Sequence, residues 1–168
     1  MSDKIKKDFS KEKEVIREIL KNANFTEFTF HTGFELKFSR ENNAELYGKP
    51  LPTEVKIIIL NDWWFGARDE WNSKVEQLTN GLDLVEPEEP VLSYELTCLR
   101  WTDEASVDKV HFEDDNMKII FKCGKSISIS YYNEMDYSWV ISECTTSDLN
   151  RGWNVICEDG EFFVSIPQ

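Results

Sequence analysis

Long hydrophobic runs are missing from this 168-residue chain, whose longest unbroken apolar stretch is Ile57 to Leu60. A membrane-spanning helix needs about 20 such residues, so none is encoded. The first residues are charged and carry no apolar h-region, so no signal peptide is expected and the expected location is cytoplasmic. Glycine is scarce, with seven residues. Neither a Gly-x-x-x-x-Gly-Lys nor a Gly-x-Gly-x-x-Gly string occurs, which removes the usual phosphate cradles. There are two histidines, His31 and His111, and no Gly-x-Ser-x-Gly elbow. Nucleophilic catalysis of the Ser-His or Cys-His kind therefore has no visible constellation. The four cysteines (Cys98, Cys123, Cys144, Cys157) form no Cys-x-x-Cys pair. Structural zinc and a disulfide framework are not expected, and no cofactor is called for. Basic charge is also short: 19 Lys and Arg against 32 Asp and Glu, net −13. Nucleic acid and anionic membranes would repel such a chain.

Apolar and aromatic residues are present in quantity. Hydrophobic residues make up 40% of the chain and aromatics 13%, enough to offset the ordering entropy of a folded domain. The length suits a single domain, 1–168. Residues 1–23 hold seven bases and five acids, +2, while the remainder holds 12 bases and 27 acids, −15. The acid thus belongs to the body of the domain.

Periodicity predicts an α+β fold: antiparallel sheet with an N-terminal helix and one further short helix packed on it. Val15, Ile16, Ile19 and Leu20 share one face of a helix over residues 11–22, with Ser10 as the expected N-cap. Phe28 and Phe30, then Phe34, Leu36 and Phe38, alternate with polar residues on either side of a turn at His31-Thr32-Gly33, which reads as a hairpin. The segment from Val55 to Leu60 reads as a central strand. Trp71, Val75 and Leu78 predict a short helix from Ala67 to Leu78. The acidic Pro segment 83–90 reads as a linker between two loosely similar halves, 24–82 and 91–168. Beyond it, the alternation of Leu92, Tyr94, Leu96 and Cys98 predicts a strand. Hairpins are expected around Gly124-Lys125 and at Asp159-Gly160. Residues 91–168 thus read as a meander of five or six strands, with Cys98, Cys123 and Cys157 as buried core thiols.

Catalytic residues are absent from this reading, and the chain is not expected to be an enzyme. What remains is a surplus of large rings in turns. Trp63, Trp64 and Arg68 form one candidate partner-binding set, and Tyr132, Asp136 and Tyr137 a second. Trp, Tyr and Arg dominate protein–protein hot spots. Adjacent strand residues point to opposite faces, so Trp63 and Trp64 cannot enter the same side. A binding face edged by acids calls for a basic protein partner.

In its bulk properties, over the whole chain, the protein resembles the immunity proteins of bacterial toxin–immunity systems, which are small, cytosolic, acidic and aromatic-rich. No motif carries the likeness, so no residue's role transfers. The resemblance implies stoichiometric inhibition of a cationic, nuclease-type toxin by direct binding. An adaptor or structural module, and a small-molecule binder or enzyme with an unrecognised site, are the alternative readings.

Overall fold

The computed structural model describes residues 8–30, 33–41, 44–133, 137–144 and 152–168. Its first element is helix α1 (Ser10–Leu20), which buries Val15, Ile16, Ile19 and Leu20, the stripe expected from spacing. The helix starts one residue earlier than Ser10 capping would require. Phe9 takes the N-cap position, without a side-chain cap bond, and packs its ring, tilted, 5.2 Å from that of Phe162. The chain leaves the helix through Asn22 in the left-handed region (φ 57°), where Asn is tolerated better than most residues.

Antiparallel strands follow: β1 (Asn24–Phe30), β2 (Phe34–Ser39), the short pair β3 (Glu45–Leu46) and β4 (Lys49–Pro50), β5 (Glu54–Ile59) and β6 (Trp63–Phe65). Two helices come next, α2 (Arg68–Thr79) and α3 (Glu88–Arg100). The remaining strands are β7 (Val107–Phe112), β8 (Asn116–Phe121), β9 (Ser126–Ser130), β10 (Trp139–Glu143), β11 (Asn154–Glu158) and β12 (Glu161–Ser165). They build a six-stranded sheet in the order β1-β2-β5-β10-β11-β12 and a four-stranded sheet in the order β6-β9-β8-β7. The α+β class expected from the sequence is the class observed. β5 is paired on both sides, by β2 and β10, as a central strand should be. The hairpin at Asp159-Gly160 forms with both residues at positive φ (47° and 78°), the geometry of a tight two-residue turn.

The core lies between the sheets. Phe38 of β2 stacks on Phe121 of β8 at 6.4 Å, and Phe34 of β2 meets Trp63 of β6 edge-on at 4.7 Å. Trp139 and Trp153 are fully buried, and the Trp153 indole donates to the Pro50 carbonyl at 2.8 Å. Helix α1 touches β7 of the small sheet and β11 and β12 of the large one. One continuous cluster of buried residues draws on the segments before and after residues 83–90, and both segments supply strands to both sheets.

Three expectations need correction. The segment from Leu92 to Cys98 is not a strand but most of helix α3, whose first turn takes up the last three residues of the acidic Pro segment. The buried positions are Val91, Leu92, Glu95, Leu96 and Leu99, a helical spacing. Glu95 stands where an apolar residue would have revealed that period. Its carboxylate is buried but receives Lys74 of α2 and, at 2.7 Å, Lys125 of the β8–β9 turn. Pro90 sits in the first turn, where an absent N–H costs nothing, and Glu88 and Glu89 favour the positive end of the helix dipole. The second correction concerns the meander. All six later strands form, but β7–β9 belong to the small sheet and β10–β12 to the large one. The third concerns thiols: Cys157 is buried, whereas Cys98, on the helix, and Cys123, in the β8–β9 turn, are only half-buried.

Candidate functional site

The β6 strand has three residues and a strict alternation. Trp63, Trp64 and Phe65 pair with Ile129, Ser128 and Ile127 of β9. Trp63 and Phe65 are buried in the core with the two isoleucines. Trp64 turns to the opposite face and is half-buried, packed at the margin of the core. Trp63 is thus a packing residue, and Trp64 is the member of the pair that a partner can reach.

Gly66 follows with φ 69°, a left-handed bend that costs a glycine little. The bend swings the chain into α2 and returns its first residue over the strand it has just left. The Arg68 guanidinium lies 4.3 Å from the Trp64 ring centroid. Its Nη2 donates to Asp62 Oδ2 at 2.6 Å, and Asp62 stands immediately before β6. Asp62, Trp64 and Arg68 therefore form one unit, with the cation held over the ring by the carboxylate. Cation–π contact of this kind is worth about 0.5–1 kcal/mol at an exposed site.

The unit borders a shallow groove of about 480 Å³ on the outer face of the small sheet. Register sets its floor. Trp64 is opposite Ser128, Ser128 opposite Lys118, and Lys118 opposite His111. Ser128 is small, so the large side chains on either side rise above it. The far rim is the turn between β7 and β8, where Glu113, Asp114 and Asp115 are all exposed.

The second predicted set lies next to the first. The Tyr131 amide donates to the Asp115 carbonyl at 3.0 Å, and the Ser130 amide to the Asp62 carbonyl at 3.0 Å. Asn61 donates to the Tyr132 carbonyl, and Asn133 to the Leu60 carbonyl at 3.1 Å. These bonds tie the segment after β9 to the β5–β6 connection. Tyr132 and Tyr137 are exposed, by 54% and 41%. Asp136 lies outside the described residues, as does His31. The Tyr132 ring covers the Asp159-Gly160 turn so closely that a Cβ at Gly160 would fall 2.7 Å from it.

Sequence reasoning passed over two exposed rings. Tyr94 (60% exposed) lies on α3 and Trp101 (82%) at its C-terminal cap, seven residues on. Reading Tyr94 as a strand residue hid that helical spacing. It also passed over Glu95, whose two lysine partners come from segments 21 and 30 residues away. Among the described residues no group of three His, Cys, Asp or Glu side chains is placed to hold a metal ion, and no helix is long and apolar enough to cross a membrane. No protein-family model, no curated protein and no solved structure matches this chain.

Proposed function

We propose that this chain is a non-catalytic binding protein that inhibits a basic protein partner, in the manner of an immunity protein neutralising a nuclease-type toxin. The observation that carries the reading is the Trp64–Arg68 pair, braced by Asp62 and faced across the groove by Glu113, Asp114 and Asp115. A ring and a guanidinium held in place lose little freedom on association, so more of the contact energy appears as affinity. The acids around them speed the approach of a cationic surface and disfavour anionic competitors. Arg68 does not spoil this polarity, because Asp62 offsets its charge. Tyr132 and Tyr137 add exposed rings on the segment hydrogen-bonded to the β5–β6 connection. Inhibition then follows from coverage: the acidic face sits on or beside the basic active surface of the toxin and excludes its substrate.

The test is affinity capture from the source cell followed by identification of the bound protein. The expected partner is basic, binds one to one and associates more slowly as salt is added. An anionic partner, or one whose binding is indifferent to Trp64→Ala and Arg68→Ala, overturns the reading.

A further inference from the structure

An open sheet leaves main-chain donors and acceptors unpaired along its edges, and folded chains protect such edges because any free strand can pair there. The two main sheets have four edges: β1, β12, β6 and β7. Three of them are protected. β1 is bulged between Phe25 and Glu27, its Phe25 amide donates to the Ala105 carbonyl at 3.0 Å, and Arg100 Nε donates to the Thr26 carbonyl at 2.6 Å. β7 is bulged between Val107 and Lys109, and its Val107 main chain bonds Asn22 and Ala23. β6 is three residues long and ends at the Gly66 bend.

β12 has none of these devices. Its register with β11 is unbroken from the Glu158–Glu161 pair to the Asn154–Ser165 pair, and it carries no proline, lysine or bulge. The two-residue turn at Asp159-Gly160 makes Glu158 and Glu161 a hydrogen-bonded pair, and bonded and non-bonded pairs alternate from there. Phe162 and Val164 therefore turn their N–H and C=O groups away from β11. Among the described residues nothing bonds those outward groups. On the outer face of the sheet, Ile58, Val140, Ile156 and Phe163 lie side by side across β5, β10, β11 and β12. This apolar row stops at the open edge, where Phe163 is 48% exposed.

We infer that β12 pairs antiparallel with β12 of a second copy of this chain, about a two-fold axis at Phe163. The strand is self-complementary in that register. Phe162 and Val164 of one copy exchange main-chain bonds with Val164 and Phe162 of the other, which satisfies every outward group of both strands. Phe163 meets its own counterpart at a non-hydrogen-bonded position, where side chains approach most closely, so the two apolar rows join into one. Glu161 falls opposite Ser165, so no like charges face each other. The two six-stranded sheets become one sheet of twelve. An interface of five residues a side is small, so the dimer depends on concentration.

Sedimentation equilibrium of the full chain tests this independently of the binding reading above. Each copy carries −13, so raising salt from about 0.05 to about 0.5 M should tighten the dimer, the reverse of the effect on a basic partner. Phe163→Lys and Phe163→Glu each place like charges on the axis and should weaken the dimer at least about fivefold. Their equimolar mixture should recover it as a heterodimer. Val164→Pro removes an outward N–H without touching the β11 ladder and should leave a folded monomer. The Lys and Glu exchange decides the matter if that variant does not fold, because Phe163 lies outside the core. A chain monomeric up to about 1 mM overturns the inference. So does a dimer indifferent to the Phe163 substitutions, or a mixture that stays monomeric. If the chain is monomeric and Val164→Pro abolishes binding of the basic partner, the edge takes a strand of that partner: the inference fails and the binding reading stands.

Discussion

On the inner face of the four-stranded sheet lie Trp63, Phe65, Ile127, Ile129 and Met117, all buried. The outer face of the same strands carries Trp64, Ser128, Lys118 and His111, joined side to side by register. One strand thus holds two adjacent tryptophans with different work. Trp63 touches Phe34 and Phe65 and closes the gap between the sheets. Trp64 touches Arg68 and meets solvent. Residue type alone does not separate packing from recognition; the side of the sheet does.

Substituting the two tryptophans singly gives the largest effects. Trp63→Ala should cost roughly 3–5 kcal/mol of folding stability, the usual penalty for emptying a large buried ring site. Trp64→Ala should leave the melting temperature nearly unchanged and cost at least about 2 kcal/mol of binding to the natural partner. Denaturant unfolding and a binding titration on both variants check this. Equal destabilisation by the two changes would remove the distinction between the faces.

Alkaline pH probes the buried side. Burial, the leading cause, pushes the Cys157 thiol up to about 12, and it raises the Tyr131 hydroxyl in the same direction. Both groups are neutral when protonated, so the folded chain holds their protons more tightly than the unfolded chain does. Their contribution is complete below the unfolded values of about 9 and 10 and is lost as pH rises beyond them. Melting temperature should therefore be insensitive to these groups at neutral pH and fall above about pH 9. For Cys157 the slope is at most about 1.4 kcal/mol per pH unit. Cys157→Ala should flatten the alkaline limb of the curve, and an unaltered limb would show that the thiol carries no such linkage.

Neutralising the outer rim should have the smallest effect. Asp114→Asn with Asp115→Asn is expected to slow association at low ionic strength, with little change in dissociation and none in stability. Salt near 0.15 M shortens the screening length to about 8 Å and should mask most of the difference. Stopped-flow association at two salt concentrations decides it. A change confined to the dissociation rate would place these acids inside the contact instead of around it.

Much of this architecture was legible in the residues because local patterns there are strong. The β1–β2 and β11–β12 hairpins announce themselves by alternating apolar residues and turn chemistry, and α1 by its four-residue stripe. Helix α3 was not legible. Leu92, Tyr94, Leu96 and Cys98 imitate a strand, and the position that would have broken the imitation holds Glu95. A buried carboxylate in a helix stripe makes sense only once two lysines from distant segments arrive to neutralise it. Of the candidate binding residues, the Trp64–Arg68 pairing was partly readable, since the two lie close in sequence. Its junction with the segment that carries Tyr132 was not.

The sequence by itself determined the class of fold, the central place of β5, the helix after β6 and the net acidity of the domain, because periodicity and composition act over a few residues at a time. It also determined that Trp63 and Trp64 must diverge, since a strand alternates. Tertiary structure alone decided which of them is buried, through the sheet that packs against β6. It also divided the later strands between two sheets, and it brought residues 61–68, 113–116 and 131–133 side by side. Those choices depend on contacts between segments far apart in the chain, and their energies are absent until the segments meet.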